Sequence, residues 1–409
     1  MGRRRQAREM VLYLLIPAAG FLSPLLVIPA VTARFGASGW TAMALAQSLG
    51  GAIAVATEMG WGVVGPQRVA GMSRHDADEQ YRLSLTSRPI TVIPGVILAS
   101  ALTWLLVGDY AGPAAVLAGA AAAQAMTPQW YFVGVGRPVA VLWSESLPRI
   151  VISVVAAVAI SHGAPFIAYS LLMWLSMPAT LVIAGRIIGP SSRLTRADWL
   201  AGPAAARGQL IMGSGRAISA IYTGLPVTLV QLVAPGSTAV FAATERLMRM
   251  GVLVLYSVPA RLQSWIGGAP AVERAHRIRT AQRLCLLMGV VSGLLYAALA
   301  PSVSRLMFSG AVDIPYPVAA WSGLLLAIIC TSMGLGLSMV ATGQANYLTA
   351  AIVPAAVIVL STIGFAALRF GPSGAVAIEA AAEAVGVVIQ WCWLRRSARR
   401  APSAVETRY

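Results

Sequence analysis

The sequence predicts an all-α polytopic membrane protein, with about twelve transmembrane helices in two six-helix lobes. Three observations predict it. Hydrophobic residues make up 58% of the 409 positions and charged residues only 11%, with a mean hydropathy of +0.75, whereas a soluble domain carries about 25% charged residues. Apolar windows of about 20 residues, long enough to cross hydrocarbon, recur along the chain between Arg, Gly and Pro clusters. The arginines also segregate: threading the windows from an internal N-terminus puts 23 Arg inside and only Arg34, Arg305 and Arg369 outside, the bias that sets orientation in membrane proteins.

Taken in order, the expected spans are 11–31, 41–64, 90–107, 114–135, 147–160, 166–184, 210–233, 239–260, 284–300, 318–341, 348–368 and 375–393. The first follows "MGRRRQAREM" and is long enough to span, so it reads as a retained helix rather than a cleaved signal. The fifth is the weakest, because Glu145, Pro148 and Arg149 crowd its start. Between the sixth and seventh lies the longest polar stretch near the middle, 186–209, which splits the spans six and six. The expected organisation is a lobe over 1–190, a cytoplasmic linker over 191–209, a second lobe over 210–394 and a basic cytoplasmic tail over 395–409. "RFGASG" (34–39) and "RFGPSG" (369–374) fall in two of the outside turns, where Gly ends one helix and Ser starts the next.

Composition also excludes function classes. The net charge of +16 is explained by topology, so no nucleic-acid partner is implied. Cys285, Cys330 and Cys392 lie far apart in apolar stretches and make neither a disulfide framework nor a zinc site. Walker, HExxH and GxSxG motifs are absent, and the outside loops are too short for an external catalytic domain. No enzyme activity, cofactor or metal is expected; a membrane enzyme of glycan assembly is the rival from a different class.

The chemistry then rests on charges within spans, which are costly in hydrocarbon and must face partners or water. "TERLMRM" (244–250) holds Glu245, Arg246 and Arg249, with Glu245 and Arg249 one helical turn apart. Glu145 and Arg149 repeat that spacing. Each pair reads either as an ion pair that fixes packing or as part of a binding surface. Arg216 and Arg246 have no evident local partner, and a guanidinium cannot shed its proton to escape the bilayer. The candidate substrate-binding residues are therefore Arg149, Arg216, Arg246 and Arg249, with a phosphate-bearing anion as the ligand that the planar guanidinium fork suits. Glu379 and Glu383 share a face of the last span. Like charges so placed can exchange a proton, which makes Glu379, Glu383, Glu245 and Glu58 the candidates for ion coupling; packing roles for the same carboxylates stay open.

Three segments carry a resemblance. "PQWYFVGVGR" (128–137) resembles the Pro-Gln-Trp-aromatic-aromatic signature of Wzx-type O-antigen and polysaccharide flippases, with Val133 where many members have Gln. "TEMGWGVVGPQRVA" (57–70) is similar to their acidic-x-Gly end of the second span, with Glu58 for the commoner Asp. "VFAATERLMRM" (240–250) is similar to a basic segment of their eighth span. The resemblance implies the multidrug, oligosaccharidyl-lipid and polysaccharide exporter (MOP) superfamily, with two lobes around a central cavity in the bacterial inner membrane and both termini cytoplasmic. It implies a flippase for an undecaprenyl-diphosphate-linked oligosaccharide, with the lipid bilayer, that lipid-linked glycan and the polymerase or glycosyltransferases of the same pathway as partners. A cation or drug antiporter of the same superfamily is the alternative.

Overall fold

A computed structural model describes residues 23–344 and 347–400, with the side chains of 210–223, 271, 348–350 and 397–400 outside the description. All regular structure in the described residues is helical. The chain divides into two compact units, Met1–Thr228 with Leu306–Val312, and Leu229–Arg305 with Asp313–Tyr409.

The first unit opens on a 3-10 turn, Ser23–Leu26, and helix α1, Ile28–Thr57. Gly36 bends α1 sharply, at φ 64° and ψ −158°, a conformation essentially closed to residues with a Cβ. At Thr57 the helix stops, and the chain reverses through Met59 and Gly60, both with positive φ, into α2, Trp61–Val69. Helix α3, Arg74–Ser87, starts at a Ser73 cap that accepts the Asp76 N–H at 3.2 Å. Helices α4, Pro89–Leu106, and α5, Ala111–Ala123, follow. A 3-10 turn over Gln124–Met126 leads to the short α6, Gln129–Gly134. Helix α7, Pro138–Val141, runs through a wide π turn at Leu142–Ser146 into α8, Leu147–Ser161. The unit closes with α9, Phe166–Ile188, and α10, Arg196–Gly224.

Small residues let these helices approach. Helix α5 is nearly all Ala and Gly and packs on α1, α4 and α9; a methyl group on Gly50 would sit 2.5 Å from the Ala118 carbonyl oxygen. Such close backbone contact replaces a hydrophobic drive that lipid does not supply. The outer face is apolar: Ile93, Ile97 and Leu105 on α4 are 60%, 64% and 78% exposed, the surface a lipid-facing helix presents.

After α11, Pro226–Val233, the second unit holds α12, Pro235–Leu255, α13, Ser257–Gly267, and α14, Ala271–Met307. It ends with α15, Tyr316–Ala341, and α16, Leu348–Arg400. Gly289 and Gly293 of α14 pack directly on Ala327 and Gly323 of α15. Helix α16 bends at Gly371 with φ 64° and ψ −156°, within a few degrees of Gly36, so the two RFGxSG segments form the same turn.

Seven described helices are long and apolar enough to cross a membrane. One of these, Ala351–Arg396, runs for 46 residues and includes the bend at Gly371, which matches two expected spans. Several expected spans are reshaped. The window 41–64 stops at Thr57, 114–135 breaks at Gln124, and 239–260 breaks at Tyr256. The expected fifth span lengthens to Pro138 through the π turn, and the segment expected as a linker, 191–209, is helical from Arg196 on. Most of 11–31 lies outside the described residues.

Candidate functional site

Within the first unit the breaks after Thr57 and Ala123 face one another and, with the start of α8, enclose a cavity of about 440 Å³. Its polar lining consists of Glu58, Gln124, Thr127, Gln129, Glu145 and Arg149, with Trp130 and Val133 beside them. Helices unwind here for stated reasons. Pro128 lacks an N–H and disfavours helix at Thr127, and Gly60 takes the left-handed conformation that ends α1 cleanly. The π turn carries Glu145 into the cavity wall, the kind of helix defect that recurs at functional sites.

The side chains form a chain of bonds. Arg149 donates from Nη2 to Gln124 Oε1 at 2.6 Å and to Glu145 Oε1 at 3.1 Å. Thr127 donates its hydroxyl to the other oxygen of Glu145. Both bonds of Arg149 leave from one nitrogen, so its remaining donors are available to a ligand. Trp130 packs at a tilt against Trp61, with ring centroids 4.8 Å apart, and presses on Gly65, which has no room for a methyl group. This aromatic wall is buried with Tyr81, Tyr131 and Phe132.

Behind the wall stands Arg88, fully buried and unremarked in the sequence except as a topology marker. It donates to the Ala125 and Thr127 carbonyls at 2.8 and 2.9 Å and to Ser84 Oγ at 3.1 Å. Those carbonyls are the ones the helix break leaves without helical partners, so Arg88 holds the break open. The Glu58 carboxylate is within its electrostatic reach. Arg88, Gln124 and Thr127 are the residues the sequence reading missed. The available signal was Gln in an all-Ala run followed by Thr-Pro.

Below the cavity, Asp78 accepts from the Tyr131 hydroxyl and from Ser191 Oγ. Arg82 donates to the Ser191 carbonyl at 2.6 Å and to Asp198 at 3.3 Å. Burial pushes the Asp198 carboxyl up, but bonds from the Thr195 hydroxyl and amide and from Arg82 outweigh it and hold the group below its ordinary value. Burial raises the Tyr81 phenol to about 12 against the opposing pull of Arg88, so it stays neutral at physiological pH.

The second unit carries the other charged group. Arg249 binds Glu245 at 2.6 Å across one helical turn. Glu379 of α16 lies in the fields of Glu245 and Arg249 of α12 and of Glu383, with its Oε2 buried and without a hydrogen-bond partner. Glu245 and Glu379 are 4% and 8% exposed, and Tyr296 closes the group by donating to the Thr244 carbonyl at 3.0 Å. The sequence grouped Glu379 with Glu383 alone; the third carboxylate arrives from another helix. Arg246 is half-buried and engaged. Arg216 sits in α10, and its side chain lies outside the described residues. Among the described residues no group of three or more His, Cys, Asp or Glu is placed to hold a metal ion.

No family model matches the chain, and no curated protein matches it. Solved structures do. An inward-facing multidrug resistance MATE family transporter of the MOP superfamily aligns with a TM-score of 0.65 at 15% identity, covering 96% of this chain and 99% of its own. The lipid II flippase MurJ, in an inward closed conformation, gives a TM-score of 0.65 at 14% identity over 93% and 87%. The Vibrio cholerae MATE transporter VcmN gives 0.53 at 13% over 97% and 98%. The fold is the one these transporters share. With the long apolar helices, it makes the chain a multi-pass membrane protein.

Proposed function

We propose that this protein flips an undecaprenyl-diphosphate-linked oligosaccharide from the inner to the outer leaflet of the bacterial inner membrane by alternating access, with both termini cytoplasmic. One observation carries the reading: the segments 57–70 and 128–137, distant in sequence, supply Glu58, Gln129 and Trp130 to one polar cavity shared with Glu145 and Arg149. Such a cavity answers the two demands of the substrate. Its amide, hydroxyl and carboxylate groups replace water around sugar hydroxyls, and the open edge of Arg149 makes a bidentate bond to a phosphate oxygen pair. Arg216, Arg246 and Arg249 are the further substrate-binding candidates in this reading. The Glu245, Glu379 and Glu383 group exchanges the proton that drives the cycle, with Glu58 as a further carboxylate in the polar path.

The second reading is a cation or drug antiporter, favoured by the same carboxylate group and by the likeness to MATE transporters. The two separate in cells. Replacing Arg216 or Arg246 by Ala should lower surface glycan at unchanged protein level, and Arg149→Ala should lower it by more than the accompanying fall in protein level. Normal glycan from all three variants, together with a loss of cationic-dye efflux, would favour the antiporter.

A further inference from the structure

We propose that a second pocket of the first unit, separate from the polar cavity, binds a phosphate or diphosphate group through Arg74 and Arg137. The pocket has a volume of about 280 Å³ and lies where the end of α2, the start of α3 and the loop after α6 meet. Arg74 and Arg137 both line it, and both are exposed. Among the described residues neither guanidinium has a carboxylate within ion-pair distance. Arg74 makes one long bond of 3.5 Å to the Ile188 carbonyl, and no side-chain bond is formed by Arg137.

The acids nearby are committed elsewhere. Asp78 is buried and takes the protons of Tyr131 and Ser191, while Asp76 is bonded to Ser73 at the start of α3. Arg74, Arg137 and Tyr131 line the same pocket, and both guanidinium charges act on the Tyr131 phenol. Two guanidinium forks that line one pocket without a carboxylate partner suit a tetrahedral dianion. Met72 and Val135 line the same pocket and offer an apolar edge that a lipid tail can follow. The phosphate can therefore come from a lipid headgroup or from a soluble anion. This proposal stands whether or not the protein moves glycans.

The test uses the full-length protein in phosphatidylcholine nanodiscs with two probes, inorganic diphosphate in solution and phosphatidic acid in the bilayer. At low salt the wild type should bind at least one of them, and Arg74→Ala with Arg137→Ala should weaken that binding by about tenfold or more. Loss of both probes, or of phosphatidic acid alone, identifies a headgroup site, and loss of diphosphate alone identifies a soluble anion. Arg193→Ala, an exposed arginine away from the pocket, should leave binding unchanged. The proposal is overturned if the wild type binds neither probe, if the double variant binds as tightly as wild type, or if Arg193→Ala weakens binding equally.

Discussion

Arg149 and Glu145 meet at 3.1 Å on a helix wound one residue too wide. The wide turn carries Glu145 to Thr127 and leaves Arg149 anchored to Gln124 by the same nitrogen. The pair is mostly buried, with side chains 16% and 10% exposed. In the proposed reading it serves packing and binding together, and the two roles separate by which partner is removed.

Arg149→Ala strands the Glu145 carboxylate, a loss of about 3–5 kcal/mol if fully buried and less where the residual exposure relieves it. Protein level and thermal midpoint should both fall. Adding Glu145→Gln should restore stability without restoring transport, because the amide needs no counter-charge while the phosphate ligand remains missing. If stability stays low in the double variant, the pair is not the source of the loss.

Gly36 and Gly371 adopt the same backbone conformation, so replacing either by Ala should cost about 1–3 kcal/mol from strain alone. At Gly36 nothing lies within 4 Å of the added methyl group, which rules out a clash as the cause. Gly51, also with open space around it, is the control on the same helix and should tolerate Ala. Thermal unfolding in detergent reads all three; an unchanged midpoint for Gly36→Ala would remove the strain account.

Asp198 has a folded value below its unfolded one. Its contribution to stability is thus fully present above the unfolded carboxylate value, about 3.9, and is lost as pH falls through the lower folded value. The tie between α3 and the start of α10 should hold at neutral pH and loosen only in acid, below about pH 4. Amide exchange across Arg74–Ser87 measures it. Asp198→Asn should raise exchange already at pH 7 and abolish the acid step, and an unchanged acid step would place the titrating group elsewhere.

The sequence made the membrane architecture legible because lipid imposes length and polarity on every span, and α4, α9 and α15 fall within a few residues of their windows. It could not show where helices unwind. The window 114–135 reads as one largely apolar span in which Gln124 and the Thr127–Pro128 step are weak signals, and the bonds from Arg88 to the Ala125 and Thr127 carbonyls that stabilise its break come from outside the window. The pairs Glu145 with Arg149 and Glu245 with Arg249 were readable from helical spacing. The approach of Glu379 to Glu245 was not, since it depends on how α12 packs on α16. Arg88 looked like one more internal arginine because nothing local distinguishes a buried guanidinium from an exposed one.

The most direct test is flipping in proteoliposomes, with purified protein and a fluorescent undecaprenyl-diphosphate oligosaccharide whose outer-leaflet fraction is quenched from outside. The account predicts movement that depends on the protein, is accelerated by an imposed proton gradient, and falls with Arg149→Ala. Glu379→Gln with Glu383→Gln should remove the gradient dependence. Equal quenching in protein-free vesicles, or full activity and unchanged gradient response in both variants, would contradict it.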